Sequence, residues 1–167
     1  MSNPSWSRIP EFPNYIINDR GEIFNLSADQ YMRVYPNTYG HMRITLTNVE
    51  TGKRYDRGVA KLVAEAFVEP PNDLCTRVMI LDGQLFHVSA QNLVWRPMWF
   101  VMRYSRQLKR DHPAHYSNLR IKNVETGKRY DNIIECAMAE GLLFDDVWRS
   151  TFSGAKIFPY GDTFEIV

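Results

Sequence analysis

Chemistry in this 167-residue chain would have to come from two stretches. In Val59 to Trp95 the side chains able to take part are few: His87 could accept a proton as a general base, and Asn92 offers one amide oxygen, which alone makes a poor metal site. No carboxylate pair lies nearby in sequence to complete a site for a hard cation. In the second stretch, Arg96, Arg103, Arg106, Lys109, Arg110, Arg120 and Lys122 face the single acid Asp111, with Trp99, Phe100, Tyr104 and Tyr116 among them. Cations interleaved with aromatic rings suit a segment laid along a nucleic-acid backbone. The other reading is a helix from Trp99 to Lys109 that docks its aromatic face on the core and leaves its basic face in solvent. Cys75 and Cys136 form no cluster of zinc spacing and read as reduced thiols, so neither metal nor cofactor is expected.

The elements that position these residues follow from periodicity. Prolines 4, 10 and 13 rule out a helix at the N-terminus. Tyr15-Ile16-Ile17 and Glu22-Ile23-Phe24 read as two strands joined by the turn Asn18-Asp19-Arg20-Gly21, and His41 to Thr47 alternates as a further strand. From about Gly58 to Val68, Leu62, Val63, Ala66 and Phe67 share one helical face, which Glu69-Pro70-Pro71 ends. Arg77 to Leu81 reads as a buried strand into the Asp82-Gly83 turn.

A nine-residue repeat runs through this order: Asn48 to Asp56 (NVETGKRYD) recurs without mismatch as Asn123 to Asp131. Each copy reads as strand, tight turn at Thr-Gly, strand, and a helix starting near the Asp. Duplication or exchange of modules explains nine identities better than shared turn chemistry. With 44% hydrophobic and 23% charged residues and a net charge of +1, the chain can bury a core, and any basic surface must be local. Its N-terminus lacks the apolar core of a signal peptide, and no run approaches the roughly 18 apolar residues of a membrane span.

Val59 to Trp95 resembles the catalytic module of HNH homing endonucleases, in which a helix H-R-L-V-A-x-A-F leads to an N-H-x-D-G turn and an N-L-x-W close. Here these are Ala60 to Phe67, Met79 to Gly83, and Asn92 to Trp95. Trp6 to Tyr15, Asn18 to Ile23 and Tyr39 to Leu46 are similar to the nuclease-associated modular (NUMOD-type) motif that precedes such domains. The C-terminal part looks like their small repeat-type helix-turn-helix module, which implies a first helix and turn at Asp131 to Leu142, a second helix at Asp145 to Phe152 and a closing strand at Gly161 to Glu165. It departs in charge: from Glu135 to Val167 six acids face Arg149 and Lys156. The resemblance implies an α+β fold: a small antiparallel N-terminal sheet, a ββα-like HNH core, a linker and a helix-turn-helix-like module. The corresponding segments are 1–56, 57–98, 99–117 and 118–167.

In that family an Asn or Asp holds the metal and the following His activates water, whereas this chain carries Met79 and Ile80 there and Ala60 in place of the helix His. The resulting expectation is a degenerate nuclease without activity, of phage origin, binding duplex DNA through backbone contacts and acting by occupancy as a regulator or accessory factor. The DNA contacts expected are Arg20, Arg33, Arg43, Lys53, Arg54, Arg103, Arg106, Lys109, Arg110, Arg120 and Lys122. The alternative is a recruited scaffold that binds a host or phage protein, as an inhibitor or small virion component. The cytoplasm of an infected bacterium is the expected location, with the virion as the other, and no membrane partner is expected.

Overall fold

The amide of Asn18 sets the first turn of the chain. Its side-chain oxygen accepts from the main-chain N–H groups of Arg20 (3.0 Å) and Glu22 (2.9 Å), and its NH2 donates to the Glu22 carboxylate at 2.6 Å. This turn joins β2 (Phe12–Asn18) to β3 (Ile23–Asn25), and with β1 (Trp6–Ile9) and β4 (Gln30–Tyr31) they form an antiparallel sheet in the order β1-β2-β3-β4. Gly21, in the turn, has φ +88°, and a Cβ there would lie 2.6 Å from Val88 Cγ2. Only glycine lets this turn lie so close to the loop around Val88.

The computed structural model describes residues 3–167, which divide into two compact units. The first comprises residues 3–70, 78–80 and 84–95. Besides the N-terminal sheet it holds the antiparallel sheet β5 (Tyr35–Pro36), β6 (Met42–Thr47) and β7 (Arg54–Gly58), followed by α1 (Val59–Phe67). Ile44 and Leu46 of β6 are buried, as are Val59, Leu62, Val63 and Ala64 of α1, so the helix turns a slightly different face inward than Leu62, Val63, Ala66 and Phe67. The helix does not begin at the repeat Asp. Asp56 lies in β7 opposite Thr45, where its carboxylate accepts from Arg43 Nη2 at 2.6 Å and from Tyr35 Oη at 3.0 Å. After α1 the short pair β8 (Arg77–Ile80) and β9 (Leu93–Arg96) forms, with a 3-10 turn at Ala90–Asn92 leading into β9. Trp95 Nε1 donates to Val68 O at 2.7 Å and so ties β9 to the end of α1.

The second unit comprises residues 71–77, 81–83 and 96–167. Its helices are α2 (Met98–Gln107), α3 (Ala114–Ser117), α4 (Ile133–Glu140) and α5 (Phe144–Ser153). Its sheet is β10 (Ile121–Asn123) flanked by β11 (Arg129–Tyr130) and β12 (Phe164–Ile166). Ile121, Ile133, Cys136, Ala137, Val147 and Phe164 form its core. α4 carries a reciprocal N-terminal cap: Asn132 accepts from Glu135 N at 2.8 Å, and the Glu135 carboxylate accepts from Asp131 N at 2.7 Å. Here too the repeat Asp is not the cap; its neighbour Asn132 is. Burial pushes the Cys136 thiol well above its ordinary range, which keeps it inert.

The two repeats fold into the same turn, one in each unit. Asn48 Oδ1 accepts from Glu50 N and Thr51 N, both at 3.0 Å, and Asn123 Oδ1 accepts from Glu125 N and Thr126 N, both at 2.9 Å. Both copies use one local device, an Asn-nucleated turn followed by a glycine at φ +67° or +72°.

Arg96 departs from the expectation that it belongs to a solvated basic run. It is fully buried in the second unit and donates to Gly141 O (3.1 Å) and Glu140 O (2.9 Å), the carbonyls at the C-terminal end of α4, with its guanidinium over the rings of Phe100 and Tyr160. Arg96→Ala strands both carbonyls and empties the site. The expected cost is about 3 kcal/mol, read as a fall of about 10 °C in the unfolding midpoint by circular dichroism. A midpoint unchanged by the substitution would contradict this role.

Tyr116 supplies a pH test of the same unit. Burial, together with its hydrogen bond to Asp145, pushes its hydroxyl up to about 12. A phenol whose folded pKa is raised contributes stability that is fully present below about pH 10 and lost as pH rises through 12. Tyr116→Phe should therefore flatten the alkaline fall in stability between pH 10 and 12, measured by denaturant titration. An unchanged slope would contradict the assignment.

Candidate functional site

In the first unit the loop from Gln84 to Ser89 is pinned from behind. Asn92 is buried, at 7% exposure, and its NH2 donates to His87 O at 2.8 Å, while its main-chain N–H donates to Ser89 O at 2.9 Å. His87 N donates to Gln84 O, closing the loop on itself. The His87 imidazole is exposed, with Nε2 at 3.2 Å from Ser89 Oγ. An accessible imidazole on a loop fixed at both ends is suited to proton transfer with a bound substrate.

Asp19, in the turn after β2, joins this region through its main chain: its carbonyl accepts from Ala90 N at 2.7 Å, at the start of the 3-10 turn that carries Asn92. Asp19 Oδ1 is buried without a hydrogen-bond partner among the described residues. Sequence reasoning saw Asp19 only as a turn residue. Its signal, an acid beside a glycine turn, is shared by most surface turns.

The positions of the family motif lie in the same unit. Met79 is buried, and Ile80 and Ala60 are half-buried. Among the described residues no three His, Cys, Asp or Glu side chains gather as a metal cluster. At Ala60, Met79 and Ile80 themselves no side chain carries an oxygen or nitrogen that could hold the divalent ion that the family uses.

The basic candidates divide sharply. In the first unit Arg43 is bound by Asp56, which it holds below the usual carboxylate range, while Arg33, Lys53 and Arg54 are exposed with no acid partner among the described residues. Arg20 is exposed as well. In the second unit Lys122 pairs with Glu165 at 2.6 Å and Arg120 with Asp131 at 3.8 Å. Arg103, Arg106, Lys109 and Arg110 are exposed, and no acid pairs with them among the described residues. They lie on α2 and the turn that follows it, whose other face buries Phe100 and Tyr104, with Tyr104 Oη donating to Leu81 O at 2.7 Å. The stretch is thus a docked helix with a solvated basic face, rather than an extended strap. Arg103, Arg106 and Arg110, at i, i+3 and i+7, line one cavity of about 400 Å³. His112, which also lines it, was missed by sequence reasoning because it stands outside any motif.

No family model matches the sequence. Over 90 residues the chain is 31% identical to an uncharacterized HNH endonuclease of Acanthamoeba polyphaga mimivirus, a match covering 54% of this chain and 22% of that relative. The chain therefore spans well under half of the curated relative's length. The HNH homing endonuclease I-HmuI, in a structure of its DNA binding and cleavage, matches with a TM-score of 0.57 over 98% of both chains at 21% identity. The fold is the mixed α+β fold of an HNH homing endonuclease, and the sequence is HNH endonuclease-like.

These matches correct the expectation that the chain is not an enzyme. Both matched proteins are named endonucleases, which points to nuclease activity. The expectation rested on Ala60, Met79 and Ile80, which stand where the family carries its helix His, its metal ligand and its base.

Proposed function

We propose that this chain binds duplex DNA through its phosphate backbone and hydrolyses it as an endonuclease of HNH type. The observation that carries the binding half is the set Arg103, Arg106, Lys109 and Arg110, exposed and without acid partners among the described residues in a chain of net charge +1. These exposed cations on α2 and the turn after it fit phosphate oxygens as partners. Arg20, Arg33, Lys53 and Arg54, in the first unit, are further candidate phosphate contacts on this reading. Arg43, Arg120 and Lys122 contribute less, since DNA would have to displace their acids. The segment Trp6 to Leu46 then serves as a NUMOD-type module, and α4 with α5 as a helix-turn-helix-like one.

For hydrolysis, His87 is the residue assigned to take the proton from the attacking water, and Asn92 is a positioning residue that holds the His87 main chain. The fold shared with a DNA-cleaving protein and the sequence match to a named endonuclease support this half. Supercoiled plasmid incubated with the chain and Mg²⁺ tests it. Conversion to nicked or linear DNA is expected, and plasmid that stays intact under conditions where it is bound overturns the hydrolytic assignment.

A second reading, a protein partner for the C-terminal part, draws on α5. That helix opens with Asp145 and Asp146, which repel phosphate, and exposes Phe152.

A further inference from the structure

The cavity beside α2 is built for something smaller and more complex than a stretch of backbone. Arg103, Arg106 and Arg110 line it, together with the acids Asp111 and Asp145 and the rings of His112 and Phe144. His112 lies edge to face on Phe144, with ring centroids 4.6 Å apart and planes at 83°, so the buried phenyl ring holds the imidazole as a flat wall. Asp145 accepts from the Tyr116 hydroxyl through one carboxylate oxygen, and its other oxygen has no partner among the described residues. The cavity therefore offers three unpaired cations, a planar aromatic surface, and a hydrogen-bond acceptor within about 400 Å³.

A bare phosphate would use only the cations. An apolar group would leave them unsatisfied. A ligand that uses all three features carries an anion, a flat ring and an N–H donor, and a single nucleotide has this set: phosphate for the arginines, base for the imidazole, exocyclic amine for Asp145. The volume lies in the range of small-ligand sites, far too small for a double helix. We propose that this cavity holds one unpaired nucleotide of the DNA, with its phosphate on Arg103, Arg106 and Arg110 and its base stacked on His112. This deepens the DNA reading and rests on it. Unpairing costs least where a base is already unpaired, so the site selects bulged or gapped DNA over perfect duplex.

The test compares a duplex bearing one unpaired adenosine with the same duplex fully paired, alongside calorimetric titration of deoxyadenosine monophosphate, inorganic phosphate and deoxyadenosine, all with the full chain. Binding about tenfold tighter to the bulged duplex is expected, together with binding of the nucleotide well above that of phosphate or nucleoside alone. His112→Ala, which alters a half-buried ring outside the expected backbone contacts, should abolish the preference while the paired duplex binds as before. Thermal unfolding of that variant confirms that it folds. Equal affinity for the two duplexes overturns the nucleotide site and leaves duplex binding standing. Failure to bind either duplex, or loss of the nucleotide's advantage over phosphate, overturns the proposal as well, the former sinking the DNA reading with it.

Discussion

Replacing Arg103, Arg106 and Arg110 together by glutamine is expected to weaken binding to duplex DNA on the order of 10²-fold at low salt. It should also flatten the salt dependence: each phosphate contact contributes about 0.9 to the slope of log K against log salt, so the slope should fall by about 3. The reason is local. These side chains are exposed and have no acid partner among the described residues, so the substitution removes charge from a solvated face and leaves the buried face of α2, Phe100 and Tyr104, untouched. The unfolding midpoint should barely move. Lys122→Gln, by contrast, removes a cation already engaged by Glu165 and should change DNA affinity much less. Equal losses from both variants would show that the paired and unpaired cations are not distinguished by DNA, and the interface would have to be redrawn.

His87→Ala is expected to slow plasmid cleavage by about 10²–10⁴, the usual loss when a general base is removed, while duplex affinity stays within about twofold. The imidazole is exposed, and the contact that holds the loop runs from Asn92 to the His87 main-chain carbonyl, which alanine retains. Fold and binding should therefore survive. Asn92→Ala frees that loop and should lower cleavage less than His87→Ala while also costing stability, because the buried Asn92 amide's hydrogen bond to the His87 carbonyl is lost. Cleavage by His87→Ala at the parental rate would remove His87 from the reaction.

Much of the fold was legible because its elements are specified locally. The Asn18 to Gly21 turn, the alternation in Met42 to Thr47, the proline stop after α1 and the repeated Asn-Thr-Gly turn each depend on residues within a few positions of one another. What the sequence hid depends on distant partners. Arg96 looks like a member of a basic run until the carbonyls of Glu140 and Gly141 are brought to it. Arg43 and Lys122 look available until Asp56 and Glu165 arrive on neighbouring strands. The same Asp ends both repeats, yet it is claimed by a cross-strand arginine in one, while its neighbour Asn132 caps the helix in the other. Asp19 likewise reads as a plain turn residue until Ala90 N, far along the chain, meets its carbonyl.

The central claim is that the chain grips duplex DNA by its phosphates. Its most direct test is the affinity for a random-sequence duplex across a salt series, with Mg²⁺ present and the DNA examined afterwards for breaks. The account predicts binding that weakens steeply and linearly in log salt, with strand scission of the recovered DNA. No binding even at low salt would contradict it.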